Sequence, residues 1–258
     1  MIRYIKIMKY KKLFEKSLLL RKKTFETFIS KKEAHLGGSF SIIEILITLY
    51  DKILKKNDKF ILSKSHASFP LILLLKEKGL NPKMTTHLEI DIKNGINCTT
   101  GSLGHGLPIS VGMALARKIM KVKGNIYVLI SDGECQEGTT WESLLIASKH
   151  KLDNLILLLD FNKIQALTSL EEALPLNSLK DKFKAFNWNC SEIKKGHSFN
   201  ELIGGISKRY KNNLPTAVII HTIKGKGIKP FENDPIWHAK KVKGKDIELG
   251  LKYLNSNK

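Results

Sequence analysis

The amino-acid sequence predicts an α/β fold in which a doubly wound, mainly parallel sheet carries helices on both faces. Apolar runs at 125–130, 154–160 and 216–222 alternate with helical patterns of about 10–15 residues, which is typical of a parallel sheet. The runs are apolar throughout rather than at every second position, as in strands buried on both faces. With 258 residues and 42% hydrophobic content, the chain is long enough for one large domain.

The first hundred residues are expected to open with two helices separated by a turn. Gly37 and Gly38 in "KKEAHLGGSFS" are expected to break the first helix. Ser39 or Ser41 is then expected to cap the second. The expected elements are helices at about 8–30 and 40–50, a strand in 59–68, a helix over 69–79 and a long loop over 80–100.

The second part of the chain shows the alternation of strands and helices more clearly. It begins with a glycine-rich loop, and it ends in a polar tail after Gly244 that is expected to be solvated. The expected elements are a loop and helix over 101–120, a strand at 125–130, a helix at 137–150, a strand at 154–160, a helix near 178–186, a weak strand near 189–193, a helix near 198–209 and a strand at 216–222.

The formal net charge of +20 is unusual and has two interpretations. An anionic partner is one: a phosphorylated ligand, a nucleic acid or an acidic protein. Compositional drift toward lysine is the other, and the scattered positions of the lysines favour it. No RNA-recognition or zinc-finger pattern accompanies the charge.

Cysteine usage and the lack of long apolar segments predict a cytoplasmic protein. The spacing of Cys98, Cys135 and Cys190 fits neither a disulfide framework nor a zinc site. No apolar run reaches the roughly 18 residues that span a bilayer, and no signal-peptide core is visible. We therefore expect no membrane association.

Asp132 and Asn162 each follow an apolar run and are separated by one strand–helix–strand unit. The carboxyl ends of parallel strands meet at one edge of the sheet, where ligands bind. A carboxylate, a side-chain amide oxygen and a nearby backbone carbonyl would suit Mg²⁺ and a phosphate group. The alternative is that Asp132 caps a helix and Asn162 forms a turn, and the spacing alone leaves both interpretations open.

The stretch "SDGECQEGTTWESLLIASKHKLDNLILLLDFNKIQ" resembles the N-terminal half of transketolase in its split, two-chain form, within the thiamine diphosphate-binding family. The resemblance implies that Mg²⁺ is bound by Asp132, Asn162 and the backbone carbonyl of Ile164. It also implies that Gly133 contacts the diphosphate of the cofactor. Ser131 stands where the family motif usually has glycine, and we expect only a small backbone adjustment there.

Further segments resemble the family along most of the chain. "AHLGGSFS" supplies His35, "ILSKSHAS" supplies His66, and "HTIKGKGIKPFENDPIWHAK" supplies His238. "HLEIDIKNGINCTTGSLGHG" supplies His87 in a loop one residue longer than the family pattern. The resemblance implies that these four histidines are active-site residues.

The glycine-rich loop and the following helix add further expected contacts. By resemblance, Gly101, Leu103 and His66 would contact thiamine diphosphate. Glu137 would face the glutamate of the other half of the enzyme, which activates the cofactor. His105 stands where the family commonly has glutamine.

The resemblance implies that residues 1–258 form a single diphosphate-binding domain with an N-terminal helical segment. The pyrimidine-binding and C-terminal domains are expected on a separate subunit, in an α2β2 heterotetramer. The implied reaction transfers a two-carbon ketol unit between sugar phosphates, in unusual sugar or surface polysaccharide biosynthesis. Neither nucleic acid nor membrane is an expected partner.

Three other functions remain open at this point. One is half of another thiamine diphosphate-dependent enzyme, such as a decarboxylating synthase or a dehydrogenase, although His35, His66 and "TTGSLG" favour ketol transfer. A non-catalytic scaffold subunit is a second alternative, and the Asp132 and Asn162 pair argues against it. A basic nucleic-acid-binding protein is a third, but aromatic and basic residues are not interleaved.

Overall fold

A parallel β-sheet forms the centre of the protein in a computed structural model that describes residues 10–256. The strands of the described residues are β1 Lys59–Leu62, β2 Ile126–Ser131, β3 Leu155–Phe161, β4 Ile164–Gln165, β5 Thr168–Ser169, β6 Asn189–Ile193 and β7 Thr216–His221. Five of them pair in parallel in the order β1-β2-β3-β7-β6, whereas β4 and β5 form a separate antiparallel hairpin.

Helices cover both faces of this sheet. The α-helices of the described residues are α1 Lys11–Lys31, α2 Leu36–Phe40, α3 Ile43–Thr48, α4 Ser68–Glu77, α5 Gly106–Ile119, α6 Gly138–Lys149, α7 Leu170–Ala173, α8 Leu179–Ala185, α9 Phe199–Ser207 and α10 Lys245–Ser256. Helices α1 to α4, α9 and α10 contribute to one hydrophobic core, and α5 to α8 contribute to the other. The predicted doubly wound α/β class is therefore confirmed.

The central strands are apolar throughout because they contribute side chains to both cores. In β2, Tyr127 and Leu129 point into the first core, while Ile126, Val128 and Ile130 point into the second. All six residues of β2 are buried. When both faces of a strand are buried, neither face offers polar side chains contact with water, so the sequence is apolar rather than alternating.

The pairing register brings the carboxyl ends of three strands to one edge of the sheet. Ser131 of β2 pairs with Asp160 of β3, and Phe161 of β3 pairs with His221 of β7. Asp132 and Asn162 directly follow β2 and β3. The segments that leave these three strands therefore start side by side, which places their first side chains at a common rim.

Glu134 connects the ends of β1 and β2 to the glycine-rich loop. Its carboxylate is fully buried and accepts hydrogen bonds from Ser63 Oγ, from Gly104 N at 3.0 Å and from Ser131 N at 2.8 Å. Burial raises the pKa of Glu134, and these donors oppose that rise.

The prediction of a solvated tail after Gly244 is wrong. Residues Lys245–Ser256 form α10, in which Gly250 and Leu254 are buried against α1. A Cβ atom at Gly250 would lie 2.1 Å from Cζ of Phe25, so the two helices approach closely at this point. The polar composition of the segment concealed an amphipathic helix whose apolar positions recur at helical spacing.

The prediction that Gly37 and Gly38 break a helix is also wrong. Both glycines lie inside the short helix α2. The preceding helix, α1, ends earlier, at Lys31, because the next residue, Lys32, adopts a left-handed conformation. No side-chain cap is formed at the start of α3, and Ser41 instead donates to Asp160. The predicted start of the first helix at residue 8 lies outside the described residues.

The remaining predicted elements agree with the structure within a few residues. Residues 80–100 form a long loop with one 3₁₀ turn at Ile92–Asn94. The predicted helix at 137–150 corresponds to α6, Gly138–Lys149, and a 3₁₀ turn that was not predicted, Gly133–Gln136, precedes it. The β4–β5 hairpin was not predicted, because two-residue strands leave no periodicity. No helix among residues 10–256 is long and apolar enough to cross a membrane.

Substitution of Gly250 by alanine is expected to loosen the packing of α10 on α1. The new methyl group would meet the ring of Phe25, and overpacking of this kind costs about 1–3 kcal/mol of unfolding free energy. Chemical denaturation monitored by circular dichroism measures the change.

Gly204→Ala in α9 is the matched control. No atom outside its own helix lies within 4 Å of a Cβ placed there, so alanine should stabilise the helix by about 0.5–1 kcal/mol. Equal effects of the two substitutions would show that α10 does not pack on α1 in solution.

Candidate active site

A narrow cleft of about 100 Å³ lies at the carboxyl edge of the sheet, beyond β2 and β3. It contains seven of the residues predicted for the site. The predicted residues that line it are His66, Leu103, Asp132, Gly133, Asn162, Ile164 and His238. Separate parts of the sequence therefore contribute to one cleft.

Asp132 is buried at the floor of this cleft without a cationic partner. Its carboxylate accepts hydrogen bonds from two backbone groups, Gly133 N at 3.0 Å and Lys163 N at 2.7 Å. No ammonium or guanidinium group of residues 10–256 forms an ion pair with it. Burial, followed by the negative charge of Asp160, raises the pKa of Asp132 to about 7. A bound cation would compensate this unpaired negative group.

Asn162 and Ile164 line the same cleft as Asp132, where Asn162 follows β3 and Ile164 is the first residue of β4. The side-chain oxygen of Asn162 accepts a hydrogen bond from Ile164 N at 3.1 Å, which closes a tight turn. Asp132 likewise caps the 3₁₀ turn that starts at Gly133. A cap formed by Asp132 and a turn formed by Asn162, the two contacts expected if these residues have only a structural role, are therefore present. They hold both side chains at the cleft.

The oxygen donors at this cleft fit Mg²⁺ together with a diphosphate group. One carboxylate, one amide oxygen and the carbonyl of Ile164 are hard ligands of the type that Mg²⁺ takes while it retains water and phosphate oxygens. No group of three or more His, Cys, Asp or Glu side chains among residues 10–256 is arranged to hold a metal. The predicted site is of a different kind, with a single carboxylate.

Two buried lysines add positive charge to the cleft. Lys64 is 1% exposed and donates to Asp160 at 2.6 Å, whereas Lys224 is 2% exposed and donates to the carbonyl of Ile164 at 3.2 Å. Burial, followed by the charge of Lys64, lowers the pKa of Lys224 to about 8. Two ammonium groups at the wall of one cleft favour a multiply charged anion.

Three of the four predicted histidines form a cluster at the mouth of the cleft. The ring centroids of His35 and His66 are 5.2 Å apart, those of His35 and His238 are 5.1 Å apart, and those of His66 and His238 are 5.6 Å apart. His35 has a left-handed backbone conformation with φ 76°, and its buried Nδ1 atom has no hydrogen-bond partner among the described residues. An unsatisfied buried nitrogen at a cleft is available to a ligand.

The clustered histidines are kept neutral by their surroundings. Burial and the neighbouring Lys64 lower the pKa of His66 well below its usual value. Burial and Lys224 lower the pKa of His238 to about 4. Burial and His87 lower the pKa of His35. Neutral imidazoles can both donate and accept hydrogen bonds, which suits them to contact hydroxyl groups.

His87 and Gly101 lie together at the rim rather than in the cleft. A Cβ atom at Gly101 would lie 2.9 Å from Cδ2 of His87, so the backbone of Gly101 and the ring of His87 are in close contact. His87 is exposed, and its charge acts on His35. The loop containing His87 therefore ends near the histidine cluster, although the side chain does not line the cleft.

Glu137 is exposed at the N-terminus of α6, outside the lining of the cleft. It packs against Gly104 of the glycine-rich loop, where a Cβ atom would lie 2.7 Å from Cβ of Glu137. Gly104 also has φ +81°, which other residues rarely adopt. An exposed carboxylate at this rim is accessible to another protein chain.

Sequence reasoning missed Lys64, Asp160 and Lys224. Lys64 stands two residues before His66, and Lys224 lies in "HTIKGKG" between β7 and His238. Asp160 ends an apolar run two residues before Asn162. Lysines are frequent in this chain, so nothing in the local sequence distinguished the two buried ones from solvated ones.

A larger open cavity of about 710 Å³ shares Asn162 and Ile164 with the smaller cleft. Lysines from three segments line it, namely Lys163, Lys194, Lys195 and Lys226. It contains none of the four predicted histidines and not Asp132. The smaller cleft, where the oxygen donors and imidazoles meet, is therefore the candidate active site.

Comparison with known proteins gives a consistent family. A sequence profile described as "Transketolase, thiamine diphosphate binding domain" matches residues 19–255. One subunit of an apulose-4-phosphate transketolase from Phocaeicola vulgatus is 35% identical over 240 residues, which is 84% of this chain and 85% of that protein. A 6-deoxy-6-sulfo-D-fructose transketolase subunit from a Clostridium species is 34% identical over 246 residues, covering 87% and 89%.

Solved structures share the fold over nearly the whole chain. Transketolase from Campylobacter jejuni superimposes with a TM-score of 0.83 at 26% identity, covering 94% of this chain and 42% of that chain. This chain therefore spans less than half the length of that full transketolase. The profile match and the similarity to the two subunits show that the chain belongs to the family of transketolase thiamine diphosphate-binding domains.

Proposed function

We propose that this chain is the cofactor-binding subunit of a two-subunit transketolase. It would transfer a two-carbon ketol unit between sugars that carry an anionic group. The observation that supports this most strongly is the convergence of Asp132, Asn162 and Ile164 with a cluster of neutral histidines at one cleft.

The residues of the cleft divide into two groups according to what they would bind. Asp132, Asn162 and the carbonyl of Ile164 would hold Mg²⁺, and Lys64 and Lys224 would face the diphosphate. When bound, thiamine diphosphate supplies an electron sink for carbanion chemistry. Burial of these groups excludes water, which strengthens each electrostatic contact.

The histidine cluster would contact the sugar. His35, His66 and His238 would hydrogen-bond substrate hydroxyl groups and accept or return protons, because neutral imidazoles can do both. His87 at the rim would contact the part of the substrate farther from the cleft. The anionic substrate class is supported by the two relatives, which are named for a phosphorylated and a sulfonated sugar.

A separate polypeptide would complete the active site. The two relatives, named as subunits of an apulose-4-phosphate and of a 6-deoxy-6-sulfo-D-fructose transketolase, are matched over 85% and 89% of their length, so they are similar in extent to this chain. We propose that the partner carries the pyrimidine-binding domain and contacts the rim near Glu137. The α2β2 stoichiometry, the cytoplasmic location and a role in unusual sugar or surface polysaccharide pathways remain predictions.

Replacement of Asp132 by alanine is expected to abolish Mg²⁺-dependent binding of thiamine diphosphate. The substitution removes the single carboxylate ligand, so the dissociation constant of the cofactor in the assembled complex should rise on the order of 100-fold or more. Isothermal titration calorimetry measures this dissociation constant.

The substitution of the exposed Asp153 by alanine is the control, and this variant should bind thiamine diphosphate normally. Unchanged affinity in the Asp132 variant would exclude the metal site.

His238 is expected to make folding stability depend on pH between about 4 and 6.5. Its pKa is about 4 in the folded protein against 6.5 for the free side chain. The unfolded chain therefore binds more protons in this window, so the free energy of unfolding should fall as the pH decreases from 6.5 toward 4.

The His238→Gln variant should show a smaller slope of unfolding free energy against pH than the wild type. Urea denaturation at several pH values measures this slope. His150→Gln is the control, since that side chain is exposed and should leave the slope as it is. A His238 variant with the wild-type slope would contradict the burial of a neutral imidazole.

The purified chain alone is expected to show no ketol transfer from a ketose phosphate to an aldose. Addition of the pyrimidine-domain subunit should restore turnover, because the group that activates the cofactor lies on that subunit in our proposal. A coupled spectrophotometric assay measures the rate, and the complex with Asp132→Ala serves as the inactive control. Turnover by the wild-type chain without a partner would refute the two-subunit proposal.

A further inference from the structure

The buried carboxylate of Asp160 is the acceptor for four side chains. Its Oδ2 atom accepts from Ser41 Oγ at 2.7 Å, from Lys64 Nζ at 2.6 Å and from Asn162 Nδ2 at 3.2 Å, and its Oδ1 atom accepts from Thr222. Asp160 is 0% exposed and does not line the cleft. Its contacts reach the site only through these neighbours, while its negative charge also acts on Asp132.

The four donors belong to the segments that also carry the candidate site residues. Ser41 follows the cleft glycine Gly38, and Lys64 precedes His66. Asn162 is itself a metal-ligand candidate, and Thr222 precedes the cleft lysine Lys224. The segments joined by Asp160 are 35–41, 64–66, 160–164 and 222–224.

We propose that Asp160 is a positioning residue that selects the orientation of the Asn162 amide, so that oxygen rather than nitrogen is presented to the metal site. This inference rests on the proposed function of Asn162 as a ligand. It concerns a residue that touches neither metal nor cofactor.

The side-chain amide of Asn162 has two ends that packing alone does not distinguish, because its oxygen and nitrogen atoms have nearly the same size and shape. A carboxylate only accepts, and therefore Asp160 pairs with the N–H end of Asn162. The reversed amide would place two oxygen atoms against each other at about the 3.2 Å that now separates Nδ2 from the carboxylate.

Backbone contacts reinforce the same orientation. With its nitrogen bound to Asp160, Asn162 directs its oxygen to Ile164 N at 3.1 Å, beside the carbonyl of Ile164. A nitrogen at that position would oppose another N–H donor and could not bind a cation. Ser41 and Thr222 hold the Asp160 carboxylate from other sides, so its position is set independently of Asn162.

The test compares Asp160→Asn in two forms. Alone, the substitution leaves the buried ammonium group of Lys64 without its partner and can prevent folding. A second variant therefore combines Asp160→Asn with Lys64→Met, which removes both charges at similar volume. Lys64→Met alone is the reference for that variant, and its Asp160 carboxylate keeps the hydrogen bonds from Ser41, Asn162 and Thr222.

The first readout is the side-chain amide signal of Asn162 in ¹H–¹⁵N NMR spectra of the full chain without cofactor. We expect one amide proton to be shifted downfield and to exchange slowly in the wild type and in Lys64→Met. Both features should be weakened in the variants with asparagine at position 160, because a neutral amide oxygen is a weaker acceptor than a carboxylate. Identical amide signals in all of these proteins would overturn the inference.

The second readout is the affinity of the assembled complex for Mn²⁺ at saturating thiamine diphosphate, measured by electron paramagnetic resonance. Loss of an orienting partner of this kind typically weakens metal binding about 10–100-fold. When Asn162 is already replaced by alanine, replacing Asp160 as well should have almost no further effect on the affinity for Mn²⁺. An equal loss in both backgrounds would show that Asp160 does not act through Asn162.

Ser41→Ala is the matched control, because it removes one donor to the same carboxylate oxygen without touching Asn162. Its Mn²⁺ affinity should stay close to that of the wild type. A wild-type complex that binds no Mn²⁺ with thiamine diphosphate would refute the proposed function. The amide signals would then still decide whether Asp160 orients Asn162.

Discussion

The buried ion pair between Lys64 and Asp160 is the interaction on which the candidate site depends. The two groups are 2.6 Å apart, and their side chains are 1% and 0% exposed. Removing both charges from water is costly and is compensated only where further hydrogen bonds satisfy the carboxylate. Ser41, Asn162 and Thr222 supply those bonds here. One geometry satisfies all of them, so four loops are held in a fixed relation.

Two charged groups of the cleft, Asp132 and Lys224, form no ion pair among the described residues, and these two groups explain what the cleft can bind. Asp132 has no cationic partner among the described residues, and Lys224 donates to a backbone carbonyl and faces a histidine at 3.4 Å. A divalent cation would compensate the first, and a diphosphate would compensate the second. Each ligand alone would leave one sign uncompensated, which favours their binding together as a complex. The neutral histidines at the mouth add hydrogen-bonding capacity without adding charge.

Much of the fold could be predicted because it depends on local patterns, and the candidate site residues came from the strand ends together with the family resemblance. Apolar runs in β2, β3 and β7 revealed strands buried on both faces, and their ends located Asp132 and Asn162. The errors arose where local patterns are weak or misleading. Gly37 and Gly38 lie within a short helix that tertiary contacts stabilise, and α10 forms from a segment whose polar residues suggested solvent.

The sequence by itself determined the layer architecture and the set of chemical groups at the strand ends, because burial on two faces and strand spacing are properties of consecutive residues. Tertiary structure alone decided which distant groups meet. The distances among His35, His66 and His238, the pairing of Lys64 with Asp160 and the burial of Lys224 depend on loops from separate strands packing together. Charge and protonation follow from that packing, since the same histidine or lysine has a different pKa in water and in a buried cleft.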